Sequence, residues 1–329
     1  MRIGVFCSGG DAPGMNACLR AVVRTAVGAG HEVIGIRRGY QGLLDEDFYV
    51  HTDGQPLMPL RSVSDILRWG GTILRTSRCQ EFFSDEGQQK AAAVLRKHQI
   101  DALVPIGGDG TFRGAVALAR FWPGQVIGCP GTIDNDLMGT DYTIGFHTAV
   151  ETAVDAVDKL RDTAESHERL FLVEVMGRHS GYIALYTAIM SGAEIVCLPE
   201  TPTDVQDINR RICELKGRGK SSLLLIVAEG DDTGGAMHLH EQLRANNCPF
   251  STRVVILGHV QRGGSPAPVD RLLGSRLGDF AVRSILAGQT GTMAGEVGGK
   301  LLLTPLADTF TAHRSVPLEL VELLDRLSR

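Results

Sequence analysis

Short runs of apolar residues recur along the chain, and each ends in a glycine-containing loop before a stretch of helical spacing begins. Residues 3–6 lead into SGGDAPGMN and then into a helix carrying Leu19, Val22, Val23 and Ala26. Residues 102–106 precede GGDGTF, residues 126–129 precede PGTIDND, and residues 170–175 precede MGRHSG. The same reading predicts further strands at 194–198, 222–227 and 253–257. Strand, glycine loop and helix in repeated order predict α/β units feeding a mostly parallel sheet. Val150, Val154, Val157 and Leu160 fall at four- and three-residue steps, which predicts one apolar helix stripe over 149–161, a scaffold element.

Length then sets the scale: 329 residues exceed one average domain, and a prior of roughly 150 residues per domain predicts two globular units with a cleft. No repeat, low-complexity tract or Pro/Gly/Ser linker separates them. A division near residue 140 is expected, into 1–140 and 141–329, and the chain is free to cross more than once. A hydrophobic share of 43% and a charged share of 22% exclude a disordered or fibrous chain. A net charge of -5 argues against a general nucleic-acid or membrane-surface partner, though it does not exclude a local basic pocket. The seven cysteines are scattered singly, which fits a reducing compartment better than a disulfide framework or a zinc site. The opening MRIGVF lacks a long apolar core and no later run approaches ~20 apolar residues, so a cytoplasmic location is expected.

Candidate chemistry sits in the loops after the strands. Gly9, Gly10 and Gly14, and Gly107, Gly108 and Gly110, suit the approach of backbone N–H groups to phosphate, with simple tight turns as the alternative. Asp109 amid glycines suits a Mg²⁺ site or a helix N-cap. Neither loop is a Walker A motif or a dinucleotide fingerprint. Asp134 and Asp136, two residues apart, would share one side of an extended strand end, one to take a proton and one to address a metal; a surface turn is the alternative. Arg178, His259 and Arg262 offer donors for a phosphate, against solvated surface roles, and Glu229 suits sugar hydroxyls or a structural carboxylate.

GGDAPGMN at 9–16, GGDGT at 107–111, PGTIDNDLMGTDYTIGF at 130–146, EVMGR at 174–178 and GHVQRGGSP at 258–266 together resemble the bacterial 6-phosphofructokinases, in order and with similar spacing, from residue 3 to about 290. The resemblance implies two similar-sized α/β/α lobes with mostly parallel sheets and the active site in the cleft between them, ATP mainly in the first lobe and fructose 6-phosphate mainly in the second. It implies Asp134 as base for the 1-hydroxyl, Asp109 with Mg²⁺, Asp136 near metal and phosphoryl, and Thr132 and Arg178 steadying that phosphoryl. ATP would meet Gly10, Arg78, Cys79, Gly108, Gly110 and Thr111; the sugar phosphate would meet Met176, Gly177, Glu229, His259 and Arg262. Arg169 and Arg253 match arginines that serve a neighbouring subunit's site, implying a homotetramer. Arg20, Arg24, Arg161, Glu194, Arg218 and Lys220 match a nucleotide effector site, implying control by ADP or phosphoenolpyruvate.

Pyrophosphate-using relatives resemble GGDD and PKTIDND, so Gly110 and Gly131 favour ATP as donor. Two positions depart from the pattern. Cys79 stands where an aromatic residue is common near the nucleotide, and Arg61 is offset by one from the effector arginine. An NAD or lipid kinase shares GGDGT but not the other motifs, and a silent regulatory subunit would lack the carboxylates at 109, 134 and 136.

Overall fold

The computed structural model describes every residue except Asp53, His313 and Arg329. In chain order the elements are β1 (Arg2–Cys7), α1 (Met15–Gly28), β2 (Glu32–Gly35), α2 (Gly39–Leu44), α3 (Asp85–Lys97), β3 (Ala102–Gly107), α4 (Asp109–Leu118), β4 (Gln125–Pro130) and α5 (Phe146–His167). There follow β5 (Arg169–Val175), α6 (Tyr182–Ser191), β6 (Ile195–Cys197), α7 (Val205–Gly217), β7 (Leu223–Ala228), α8 (Ala236–Ala245) and β8 (Ser251–Ile256). The chain ends with α9 (Pro268–Leu286), β9 (Thr292–Val297), β10 (Lys300–Pro305) and α10 (Leu318–Leu327).

These elements form two compact units that are discontinuous in sequence. The first comprises Met1–Ile133, Leu137–Thr148 and Arg262–His313; the second comprises Asp134–Asp136, Ala149–Gln261 and Arg314–Arg329. In the first, six strands lie in the order β10-β9-β4-β3-β1-β2, all parallel except the β9–β10 hairpin. β3, ALVPIG, is buried along its whole length, as expected of a central parallel strand covered on both faces. Phe6, Ile34, Leu103 and Val126 share a core with residues of α2, α3 and α4, while α1 and α9 pack against one another and against β3 and β4.

The second unit is built on four parallel strands in the order β6-β7-β5-β8. Leu170 and Leu172 of β5 and Leu223, Leu225 and Val227 of β7 bury one face with Ile208, Ile212 and Leu215 of α7 and Leu239 and Leu243 of α8. Asp204 starts α7 by accepting hydrogen bonds from Gln206 N at 2.8 Å and Asp207 N at 3.3 Å, an N-cap that satisfies donors the helix leaves open. The helix expected over 149–161 extends over Phe146–His167, and β2, β9 and β10 join the strands the apolar runs predict.

Candidate active site

In the first sheet β2 lies on one side of β1 and β3 on the other, so the carboxyl ends of β1 and β3 flank the switch point where open α/β sheets leave a crevice. Both predicted glycine loops begin there. Ser8 N donates to Ile106 O at 3.0 Å, and the buried Thr111 hydroxyl donates to Ser8 O at 3.1 Å, lacing the loops together. At Gly107 a Cβ would stand 2.3 Å from Thr111 Oγ1 and 2.5 Å from Ser8 O, so the two backbones approach only because position 107 has no side chain.

α4 begins at Asp109, and its N-cap, Gly108, supplies no side-chain cap. Thr111 N and Phe112 N both turn back to Gly108 O, at 3.0 and 3.2 Å, and the helix dipole adds positive potential at the start of α4, which suits an anion. Asp109 is not the cap. Its side chain is 34% exposed in the first turn and lies 3.8 Å from Arg113 Nε. Among the described residues no group of three or more His, Cys, Asp or Glu side chains is arranged to hold a metal. One half-buried carboxylate at such a helix start instead fits Mg²⁺ that keeps water and nucleotide phosphates as its other ligands.

The two glycines tied to donor choice differ. A Cβ on Gly110 would meet nothing within 4 Å, whereas one on Gly131 would come to 2.9 Å from Met15 Cε and 3.0 Å from Ile106 Cγ2. Position 110 therefore opens onto free space, and position 131 is filled by the protein's own core. Next to Gly131, Thr132 is buried and its carbonyl accepts from Thr143 Oγ1 at 2.6 Å. Thr76 Oγ1 donates to Gly9 O at 2.6 Å, and Phe82 stacks on Tyr40, whose hydroxyl donates to Thr111 O at 2.7 Å. These contacts anchor both ends of the loop carrying exposed Arg78 and half-buried Cys79, and burial raises the Cys79 thiol pKa. Arg262 also belongs to this unit: Nη1 donates to Asp11 O at 3.1 Å, and the guanidinium closes over Gly10.

Asp134 and Asp136 do not lie on an extended strand end. β4 stops at Pro130, and Asn135 between the two carboxylates is left-handed, φ 52°, so the alternation that would have put both on one side does not apply. Asn is among the residues that tolerate this region. Asp134 is buried, and its carbonyl accepts from Ser180 Oγ at 2.8 Å.

In the second sheet the order reverses at β5, with β7 on one side and β8 on the other, and the sugar-side candidates follow these strands. Glu229, after β7, accepts from Gly177 N at 3.3 Å and Arg178 N at 2.7 Å, both after β5. Gln261, fully buried, accepts from Met176 N at 2.8 Å. Met176, Gly177, Arg178 and Glu229 are thus brought together, with Arg178 exposed and its backbone left-handed, φ 54°. His259 is exposed on the turn Gly258–Arg262. Arg169 and Arg253 lie apart from this group, Arg169 first in β5 and Arg253 third in β8. In register Arg169 faces Ser251 and Phe171 faces Arg253, so both arginines stand on one face, about 20 Å of strand from Met176.

The sequence pattern of the family Phosphofructokinase matches residues 2–285. The chain belongs to this family. It is 51% identical over 324 residues to ATP-dependent 6-phosphofructokinase 1 of Thermus thermophilus, covering 98% of each chain. It is 48% identical over 328 residues to the ATP-dependent 6-phosphofructokinase of Paenibacillus macquariensis, covering 100% of this chain and 99% of that one. Among solved structures, Pichia pastoris phosphofructokinase in the T-state aligns with a TM-score of 0.86 at 35% identity, over 94% of this chain and 35% of that longer one.

Of the residues expected at an effector site, buried Glu194 accepts from Lys220 Nζ at 2.9 Å and Leu224 N at 2.8 Å. Arg161 donates to Ser191 O at 2.7 Å and Gly192 O at 2.8 Å. Arg218 is exposed just after α7, and Arg20 and Arg24 lie on α1 in the first unit. Sequence reasoning missed Ser180, Gln261 and Asn135, which shape the loops. The polar Gln inside GHVQRGGSP and the Asn inside the acidic triplet were the available signals.

Proposed function

We propose that this protein is an ATP-dependent 6-phosphofructokinase, transferring the γ-phosphate of MgATP to the 1-hydroxyl of fructose 6-phosphate to give fructose 1,6-bisphosphate and ADP. The observation that carries this is family membership over residues 2–285 combined with an uncapped α4 N-terminus bearing Asp109 and open space at Gly110. ATP lies against Gly10, Arg78, Cys79, Gly108, Gly110 and Thr111, its phosphates on the start of α4. Asp109 would hold Mg²⁺, with Asp136 toward it, and the ion would supply charge neutralisation for the nucleotide phosphates. Asp134 accepts the proton of the 1-hydroxyl, Thr132 and Arg178 steady the moving phosphoryl, and stabilising its charge does most of the work. The sugar ring rests on Met176, Gly177, Glu229 and His259, with Arg262 toward phosphate.

Arg169 starts β5 and Arg253 pairs with Phe171, both well down the strands from Met176, which supports their serving the 6-phosphate of a neighbouring subunit in a homotetramer. Arg20, Arg24, Arg161, Glu194, Arg218 and Lys220 serve an effector site between subunits, for ADP or phosphoenolpyruvate. No helix among the described residues is long and apolar enough to cross a membrane, and we place the enzyme in the cytoplasm.

The test is formation of fructose 1,6-bisphosphate with ATP or pyrophosphate as donor in otherwise identical reactions. Turnover with ATP alone is expected. Turnover with pyrophosphate alone would refute the donor assignment, and none with either would refute the activity.

A further inference from the structure

We infer that the C-terminal segment starting at Arg314 is part of the active-site scaffold, with Arg314 and Tyr182 as positioning residues for the turn Asp134-Asn135-Asp136. This rests on the assignment of Asp134 and Asp136 to phosphoryl transfer. The turn is an isolated visit of the chain to the second unit: residues 133 and 137 on either side belong to the first. So short a piece has little local structure to hold it, and its middle residue is a left-handed Asn. A strained backbone persists only where its surroundings over-determine it.

Both ends of the turn are held by the second unit. Asp134 O accepts from Ser180 Oγ at 2.8 Å, and Asp136 O accepts from Arg314 N at 3.4 Å. The two holders are themselves tied together through Tyr182, the first residue of α6, which is 2% exposed. Its hydroxyl donates to Ser315 O at 3.0 Å, its N–H reaches Ser180 Oγ at 3.5 Å, and the Arg314 guanidinium lies 5.1 Å from its ring centre. That distance is within the range of a cation–π contact. The circuit therefore runs from Asp136 through Arg314, Tyr182 and Ser180 to Asp134. Arg314 lies beyond residue 285, where the family's sequence pattern stops, so motif matching leaves this half of the clamp unseen.

A base displaced by about 1 Å loses roughly 100-fold in rate without losing substrate affinity. The test takes the full-length chain and compares Arg314→Ala, Arg314→Lys and Tyr182→Phe with the unaltered protein, reading kcat, KM for each substrate and thermal unfolding. Arg314→Ala is expected to lower kcat about tenfold or more, with both KM values within about threefold. Tyr182→Phe, which keeps the ring and loses the bond to Ser315, should lower kcat about threefold and decides the matter if the alanine variant does not fold. Arg314→Lys should recover most of kcat, because a cation remains over the ring and the main-chain donor is untouched. Unchanged kcat with a lower melting temperature would reduce the segment to general stability and overturn the inference. So would raised KM at constant kcat, which would assign it to substrate binding. If the unaltered protein fails to phosphorylate fructose 6-phosphate, the functional reading itself falls, and this inference with it.

Discussion

α4 and α6 both begin just after a glycine at the carboxyl end of a parallel sheet, yet the loops in front of them are held in different ways. Both N-caps, Gly108 and Gly181, lack a side-chain cap, but at α4 the space beside Gly110 is open. At α6 the donor of Gly181 is already taken by Glu200 Oε1 at 2.8 Å. The same contrast runs through the loops around them. In the first unit the glycine loops are shaped by backbone approach at Gly107 and by the Thr111 hydroxyl. In the second, loop donors are consumed by side chains: Glu229 takes Gly177 N and Arg178 N, Gln261 takes Met176 N, and Glu174 takes Ala236 N at 2.8 Å. A polyanion is best held by donors left over from folding, whereas a sugar ring is recognised by side chains on a loop whose own polar groups are already satisfied.

The strongest way to break this contrast is to put charge where α4 leaves room. Gly110→Asp introduces a carboxylate into open space, so the chain should fold with an unchanged melting temperature while kcat/KM for ATP falls on the order of 100-fold, the scale of one like-charge contact near a protein surface. A fall of less than about threefold would mean that the phosphates do not pass position 110. A smaller effect is expected on the other side. Glu229→Ala strips the acceptor from two loop N–H groups and should cost about 1 kcal/mol of stability, lower kcat/KM for fructose 6-phosphate roughly tenfold, and leave KM for ATP within twofold. Equal losses for both substrates would show that Glu229 is not confined to the sugar side.

The smallest effect concerns pH. His147 sits at the start of α5 with its ring 4.4 Å from Tyr142. Burial lowers its pKa below the ordinary histidine value, and nearby Asp270 only partly opposes this. Asp270 in turn accepts from Gly145 N and Thr148 N, and burial holds its own pKa above the usual carboxylate range. Because the unfolded chain binds a proton at His147 that the folded chain refuses, the stability this gives is present above about pH 6.5 and is lost as pH falls through the lower folded value. His147→Gln should flatten the slope of unfolding free energy between pH 7.5 and 5.5 by less than about 1 kcal/mol in total. A slope identical to that of the unaltered chain would assign the pH dependence elsewhere.

What could be read from sequence was the half of the protein that repeats a local rule. The apolar runs of β1, β3, β4, β5, β7 and β8 stand directly before their loops, so strand, loop and helix start follow from a single window. β2 escaped because it is only Glu32–Gly35. The β9–β10 hairpin carried a signal that was not used: Gly298 and Gly299, both with positive φ, stand between two strand-like runs, the pattern of a tight hairpin turn. The geometry of Asp134 and Asp136 was misjudged because a period of two holds only while the chain stays extended, and Asn135 turns it. Gln261 reaching Met176, or Arg314 reaching Asp136, spans so much sequence that no local window contains it.

The way the chain is dealt between its units also sets an order of assembly. It passes from one to the other at 133/134, 136/137, 148/149, 261/262 and 313/314. The first sheet receives β9 beside β4 through the pairing of Ile127 with Thr292, long after β1 to β4 have been made. During synthesis from the amino end, the first unit therefore waits, with one side of β4 unpaired, while all of Ala149–Gln261 emerges. The second unit has its four strands by Ile256 and is free to form its sheet before the older one closes. Non-local closure of this kind slows folding and leaves a strand edge exposed to wrong partners in the interval.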